Sequence, residues 1–160
     1  MNLVTLHTVV PHFTAVATNS AALQLQDYEG QNVLLYFYPK DNTSGCTKQA
    51  QDFRDYNAQF NALNTVILGV SRDSLRSHHN FKEKQGLPFD LISDSEEVLC
   101  QLFDVIKQKN MYGKQVRGIE RSTFLINDKG VLVQEWRKVK VPNHVVEMLD
   151  FLKEMNVSVE

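Results

Sequence analysis

Residues 33–38 read Val-Leu-Leu-Tyr-Phe-Tyr, six apolar or aromatic side chains in a row. A strand with one wet face alternates polar and apolar residues, so this unbroken run predicts a strand buried on both faces. It is far short of the ~20 residues that span a bilayer, so the protein itself must cover it. A chain of 160 residues can do so. One core of this size buries roughly 70% of the unfolded surface, and a single domain over residues 1–160 is expected.

The rest of the pattern surrounds that strand with helices. After a break at Pro39–Gly45, Ala50, Phe53, Phe60 and Leu63 recur at helical spacing, predicting a helix from about 44 to 63 with Thr43 or Ser44 as N-cap. Thr65–Val70 reads as a second buried strand, 74–85 as a polar helix closed by Gly86, and Phe89–Ile92 as a short strand. Val98, Leu99, Leu102 and Phe103 line one face of a further helix. Thr123–Ile126 and Val131–Trp136 flank Asn127-Asp128-Lys129-Gly130, a hairpin signature, and Pro142 opens a last helix with Val145, Leu149 and Leu152 on one face. The order β-α-β-α-β-α-β-β-α is an α/β arrangement, a central mixed sheet flanked by helices, and suits a thioredoxin-like fold. Trp136 and the phenylalanines fall inside these elements and are expected in the core.

Composition excludes several function classes. Seventeen Lys and Arg oppose 19 Asp and Glu, and the net charge of −2 comes from Asp27 and Glu29, because the charges cancel beyond residue 39. No overall field draws the molecule to nucleic acid or to a membrane surface. The first 39 residues hold no Lys or Arg, so no signal or transit peptide is recognised, and a reducing cytoplasm is the expected compartment. No metal or cofactor motif stands out: His7, His12, His78, His79 and His144 lack ligand spacing, and His78 and His79 are expected on a solvated helix surface.

Two cysteines are too few for a disulfide framework but enough for redox chemistry. Cys46 falls in the first turn of the long helix, where unpaired backbone N–H groups and the helix dipole favour a thiolate over a thiol. Position alone is equally compatible with a buried, inert cysteine.

The residues around Cys46 separate these readings. Pro39-x-x-x-Thr43-x-x-Cys46 resembles the peroxiredoxin active-site motif, and Tyr36–Asp41 with Gly45-Cys46-Thr47 resembles the bacterioferritin comigratory protein (PrxQ) subfamily. Pro11-His12-Phe13, Asp27–Gly30, Ser93-Asp94, Met111–Lys114 and Gly118–Arg121 also match in order, so the resemblance covers nearly the whole chain. It implies a thiol peroxidase acting on hydrogen peroxide or alkyl hydroperoxides and regenerated by thioredoxin, glutaredoxin or a small thiol, with no cofactor and, as often in the subfamily, as a monomer. By motif position, Cys46 would be the peroxidatic nucleophile, Thr43 would bond the peroxide, Arg121 would face sulfur and peroxide, and Pro39 would shield the pocket. Backbone N–H groups of Gly45 and Cys46 would complete the site.

The chain also departs from the pattern. Many members carry a resolving cysteine five residues after the first, and here that place is Gln51. Cys100 is the other candidate. The helical wheel sets it about 130° from the apolar face, between Glu96 and Glu97, at the fringe of the polar side. Bridging requires Cα atoms within about 7 Å, so a cycle using Cys46 alone is favoured. The alternatives are a thiol–disulfide oxidoreductase, which usually needs a cysteine where Gln49 stands, and a redox-inactive binding or chaperone-like module on the same scaffold.

Overall fold

A computed structural model describes residues 3–159. Residues 33–38 form the predicted strand, β3 (Asn32–Phe37), every residue of which is buried. Four strands beside it are the expected ones: β4 (Thr65–Ser71), β5 (Asp90–Ser93), β8 (Ser122–Ile126) and β9 (Leu132–Trp136). Strands β3, β4 and β5 run parallel, and β8 and β9 continue the sheet antiparallel. Two short strands, β1 (Thr14–Ala17) and β2 (Ser20–Gln24), extend it at the far edge in the order β2-β1-β5-β4-β3-β8-β9. The result is the expected mixed sheet of a thioredoxin-like fold.

Alternation along β3 divides the core. Leu34, Tyr36 and Tyr38 point to one face, where they pack with Ala50 and Phe53 of α1 (Ser44–Ala62), Phe81 of α2 (Leu75–Gln85) and Val145, Met148 and Leu149 of α4 (His144–Val159). Val33, Leu35 and Phe37 point to the other, against Val10, Phe13, Phe103 and α3 (Val98–Leu102). Tyr36 stacks on Phe53 with ring centroids 4.5 Å apart. Helix α2 is capped as its residues suggest: the Ser74 side chain accepts from Ser77 N–H, and Gly86 closes the helix at φ 62°.

Two hairpins were not visible in the sequence. The β1–β2 strands are only four and five residues long and half exposed. The second hairpin, β6 (Ile106–Met111) and β7 (Lys114–Ile119), stands outside the main sheet and consists largely of exposed polar residues. No buried apolar stripe marks it. Its turn places Tyr112 at φ 54° and Gly113 at φ 80°. Glu97 anchors it, bonding Arg117 of β7 at 2.5 Å and Arg72 at 3.1 Å. The Arg117 guanidinium, helped by Arg72, holds the Glu97 carboxyl down at about 2. Among the described residues, no helix is long and apolar enough to cross a membrane.

The tightest approach in the sheet is at Gly69, beside Tyr36 in register. A Cβ there would sit 2.8 Å from Leu91 Cδ2 and 2.9 Å from both Cζ and the hydroxyl of Tyr36. Gly69→Ala is therefore expected to destabilise the fold by about 1–3 kcal/mol through overpacking, read as a lower urea midpoint at unchanged slope.

Candidate active site

Strand β3 ends at Phe37, the chain turns through Pro39–Thr43, and α1 begins at Ser44. Thr43 is the N-cap at φ −85°, ψ 155°, and the first α1 bond runs from Thr47 N–H to Thr43 O at 2.9 Å. The N–H groups of Gly45 and Cys46 therefore have no acceptor within the helix and point off its positive end. The Thr43 hydroxyl does not cap the helix. It donates to Lys40 O at 2.8 Å, leaving its oxygen free to accept.

Cys46 is 2% exposed and packs with Tyr36, Tyr38 and Ala50. Arg121 reaches it from across the sheet: β8 pairs with β3 so that Ser122 lies opposite Phe37, which puts Arg121 beside the start of α1. Its Nη2 donates to Cys46 Sγ at 3.3 Å and its Nη1 to Gln49 Oε1 at 2.5 Å. A Cβ on Gly45 would lie 3.4 Å from Arg121 Nη2. The guanidinium thus lies over the first turn of α1, in contact distance of position 45. Pro39 is half-buried at the loop's start. Cys46, Thr43, Arg121, Pro39 and Gly45 are thus brought together at one end of β3.

Cys100 is not. The sequence placed it at the fringe of a polar face, yet it is fully buried, whereas Val98, expected to be apolar and inward, is 54% exposed. The wheel failed because α3 has only five residues and is entered through Glu97 at φ 64°, so Glu96 and Glu97 are not on its helical face. Burial and the neighbouring Asp94 carboxylate push the Cys100 thiol far above its usual range. Cys46 and Cys100 belong to the apolar clusters on opposite faces of the sheet.

His78 is also corrected. It is fully buried rather than solvated, while its neighbour His79 is exposed as expected. Its Nδ1 lies 2.7 Å from Asp41 Oδ2 and its Nε2 lies 2.8 Å from Ile92 O. Asp41, Asp73 and His78 offer ligand-type atoms within 4.8 Å of one another, but protein groups already engage them: Asp73 Oδ2 accepts from Asp41 N–H at 2.9 Å and from the Ser71 hydroxyl at 2.6 Å. Linear spacing could not show a cluster assembled from residues 41, 73 and 78.

Gln49, marked in the sequence only as the place of a missing cysteine, is buried three residues after Cys46, on the same helical face as Ala50 and Phe53. Its Nε2 and the Tyr36 hydroxyl are buried without a hydrogen-bond partner. Burial above all, then the Cys46 and Asp41 charges, raises the Tyr36 phenol well above its ordinary range and keeps it protonated. A cavity of about 350 Å³ lies between residues 9–12, Leu25–Glu29 and the β8–β9 turn, at the opposite end of β3 from Cys46.

The AhpC/TSA family pattern matches residues 6–135. The chain belongs to that family. Peroxiredoxin Bcp of Bacillus subtilis strain 168 is 51% identical over 146 residues, covering 91% of this chain and 93% of that protein. The structure of Xanthomonas campestris peroxiredoxin Q superposes with a TM-score of 0.85 at 49% identity, covering 90% of this chain and 91% of that one. A Xylella fastidiosa PrxQ cysteine mutant gives 0.90 at 44% identity, covering 97% and 99%. Within AhpC/TSA the chain is thus a peroxiredoxin of the bacterioferritin comigratory protein (PrxQ) group, as the motif strings implied.

One more histidine borders the site in this peroxiredoxin. His144 is buried, 3.1 Å from the Thr123 hydroxyl through Nε2. Burial, and then the positive charge of Arg121, lowers it to about 4. The unfolded chain, with His near 6.5, binds that proton first, so stability present above pH 6.5 is lost as pH falls towards 4. This residue is expected to contribute up to about 1.4 kcal/mol of lost stability per pH unit over that window. Urea titrations at pH 7, 5.5 and 4.5 should show a shallower acid decline in His144→Gln than in wild type.

Proposed function

We propose that this peroxiredoxin reduces hydrogen peroxide and organic hydroperoxides through Cys46 alone, with an external thiol as reductant. The observation that carries the reading is the Arg121 guanidinium on the Cys46 sulfur, 3.3 Å away, at the first turn of α1. Alkyl peroxide reduction is the activity attributed to the X. campestris bacterioferritin comigratory protein, which is 49% identical to this chain.

The Cys46 thiolate attacks the terminal oxygen of HO–OR. An S–O bond forms, the O–O bond breaks, and RO⁻ leaves and takes a proton, giving a cysteine sulfenic acid and ROH. Negative charge moves from sulfur to the departing oxygen. Donors fixed around that path, Arg121 and the N–H groups of Gly45 and Cys46, stabilise the transition state more than the ground state. The Thr43 hydroxyl oxygen accepts a hydrogen bond from the peroxide O–H, and Pro39 keeps water from the sulfur. One thiol of the reductant then attacks the sulfenic sulfur, releasing water and forming a mixed disulfide. A second thiol displaces Cys46 as thiol and leaves the reductant oxidised. Thioredoxin, glutaredoxin or glutathione can fill that role. The cycle fits one domain acting as a monomer in a reducing cytoplasm.

Cys100 has no part in this cycle. Its thiol is buried, held protonated, and packed on the other face of the sheet. Position 51 is glutamine, whose side chain bonds Gln85 instead.

Treatment with one equivalent of hydrogen peroxide, followed by mass spectrometry without added thiol, should show one oxygen gained on Cys46. A loss of two hydrogens linking Cys46 to Cys100 would overturn the single-cysteine cycle. Cys46→Ser should abolish turnover and Cys100→Ser should retain it. Arg121→Ala should slow the peroxide step about 100-fold or more, the scale for removing one transition-state donor.

A further inference from the structure

We propose that His78 is a positioning residue for the peroxide step: through Asp41 it fixes the Pro39–Thr43 loop over Cys46. The inference rests on Cys46 being the peroxide-reactive residue. Within that loop Lys40, Asn42 and Thr43 are exposed and Pro39 is half-buried, so only Asp41, 4% exposed, ties it to the interior. Asn42 takes a left-handed conformation at φ 64°. The outward residues cannot set where Pro39 and Thr43 stand. The inward carboxylate can.

Asp41 is held on every side. Its Oδ1 accepts from the Tyr38 hydroxyl at 2.6 Å, and its Oδ2 from the Ser77 hydroxyl at 2.8 Å and from His78 Nδ1 at 2.7 Å. Its own N–H donates to Asp73 at 2.9 Å. Burial alone would raise the carboxyl, but the bonds from His78, Tyr38 and Ser77 outweigh it and keep Asp41 ionised. His78 is the hub. Its Nε2 lies 2.8 Å from the Ile92 carbonyl of β5, so one rigid ring spans from the sheet to the loop. The Thr43 hydroxyl, bonded to Lys40 O, passes that placement on to the N-cap of α1.

Packing does not require a histidine at this place. Position 78 is fully buried near the ring of Tyr38, where an apolar side chain would carry no desolvation cost. A polar ring bonded at both nitrogens serves geometry rather than burial. Shifting a reacting group by 1 Å can cost 100-fold in rate, which sets the scale expected from losing it.

The test compares two reactions of Cys46 in the reduced protein: with hydrogen peroxide, which needs Thr43 and Pro39 in place, and with iodoacetamide, which needs only the sulfur. His78→Gln is expected to slow the peroxide reaction about 30-fold or more while alkylation stays within about threefold. Ser77→Ala removes one bond to Asp41 and no charge, and should slow the peroxide reaction about threefold to fivefold with alkylation unchanged. A folded His78→Gln protein reacting with peroxide at the wild-type rate, or slowed equally in both reactions, would overturn the proposal. If His78→Gln does not fold, a Ser77→Ala protein with wild-type peroxide rate overturns it. Wild type failing to react with peroxide would count against Cys46 itself, a result distinct from the ratio.

Discussion

The contact between Arg121 and Cys46 joins residues 75 apart in the chain, and most of the architecture around it serves to make it. Cys46 is placed by α1, which can start where it does only because β3 ends on the loop before it. Arg121 is placed by β8, whose antiparallel register against β3 brings its first residues to the same end of the sheet. One guanidinium nitrogen meets Cys46 and Gln49 takes the second, so the arginine arrives with one orientation. A charged group fixed in this way at the positive end of a helix is ready before any substrate binds, and pre-organisation of that kind is what lowers a barrier.

Much of this could be read in advance, and the boundary between legible and illegible is physical. β3 and β4 were visible as unbroken apolar runs, α1 by its helical spacing, α2 by its closing Gly86, and β8 and β9 by the turn between them. The cysteine, threonine, proline and arginine were visible as a motif. Gln49 shows no such mark, since its importance depends on Arg121 lying above it. Asp41, Asp73 and His78 are polar residues on three segments that only the closed fold brings together. α3 misled because a wheel needs more than the one and a half turns present there. The β6–β7 hairpin is polar on both sides and held by its anchor at Glu97.

The two cysteines illustrate how environment divides identical chemistry. Cys46 sits at a helix start with a guanidinium on its sulfur. Cys100 lies within α3, where the backbone N–H groups of the first turn, Leu99 and Cys100, are taken by Asp94. That carboxylate caps the helix and repels negative charge from the sulfur beside it. The two thiols lie in the apolar clusters on opposite faces of one sheet, and in the proposed cycle an external thiol therefore meets Cys46.

In the proposed cycle the peroxide step depends on an arginine held in one orientation by Gln49. A double-mutant cycle on the rate constant of Cys46 with hydrogen peroxide tests it directly. Gln49→Ala is expected to slow wild type about tenfold, and to have almost no further effect once Arg121 is alanine, because nothing remains to orient. Equal effects of Gln49→Ala in both backgrounds would contradict the account.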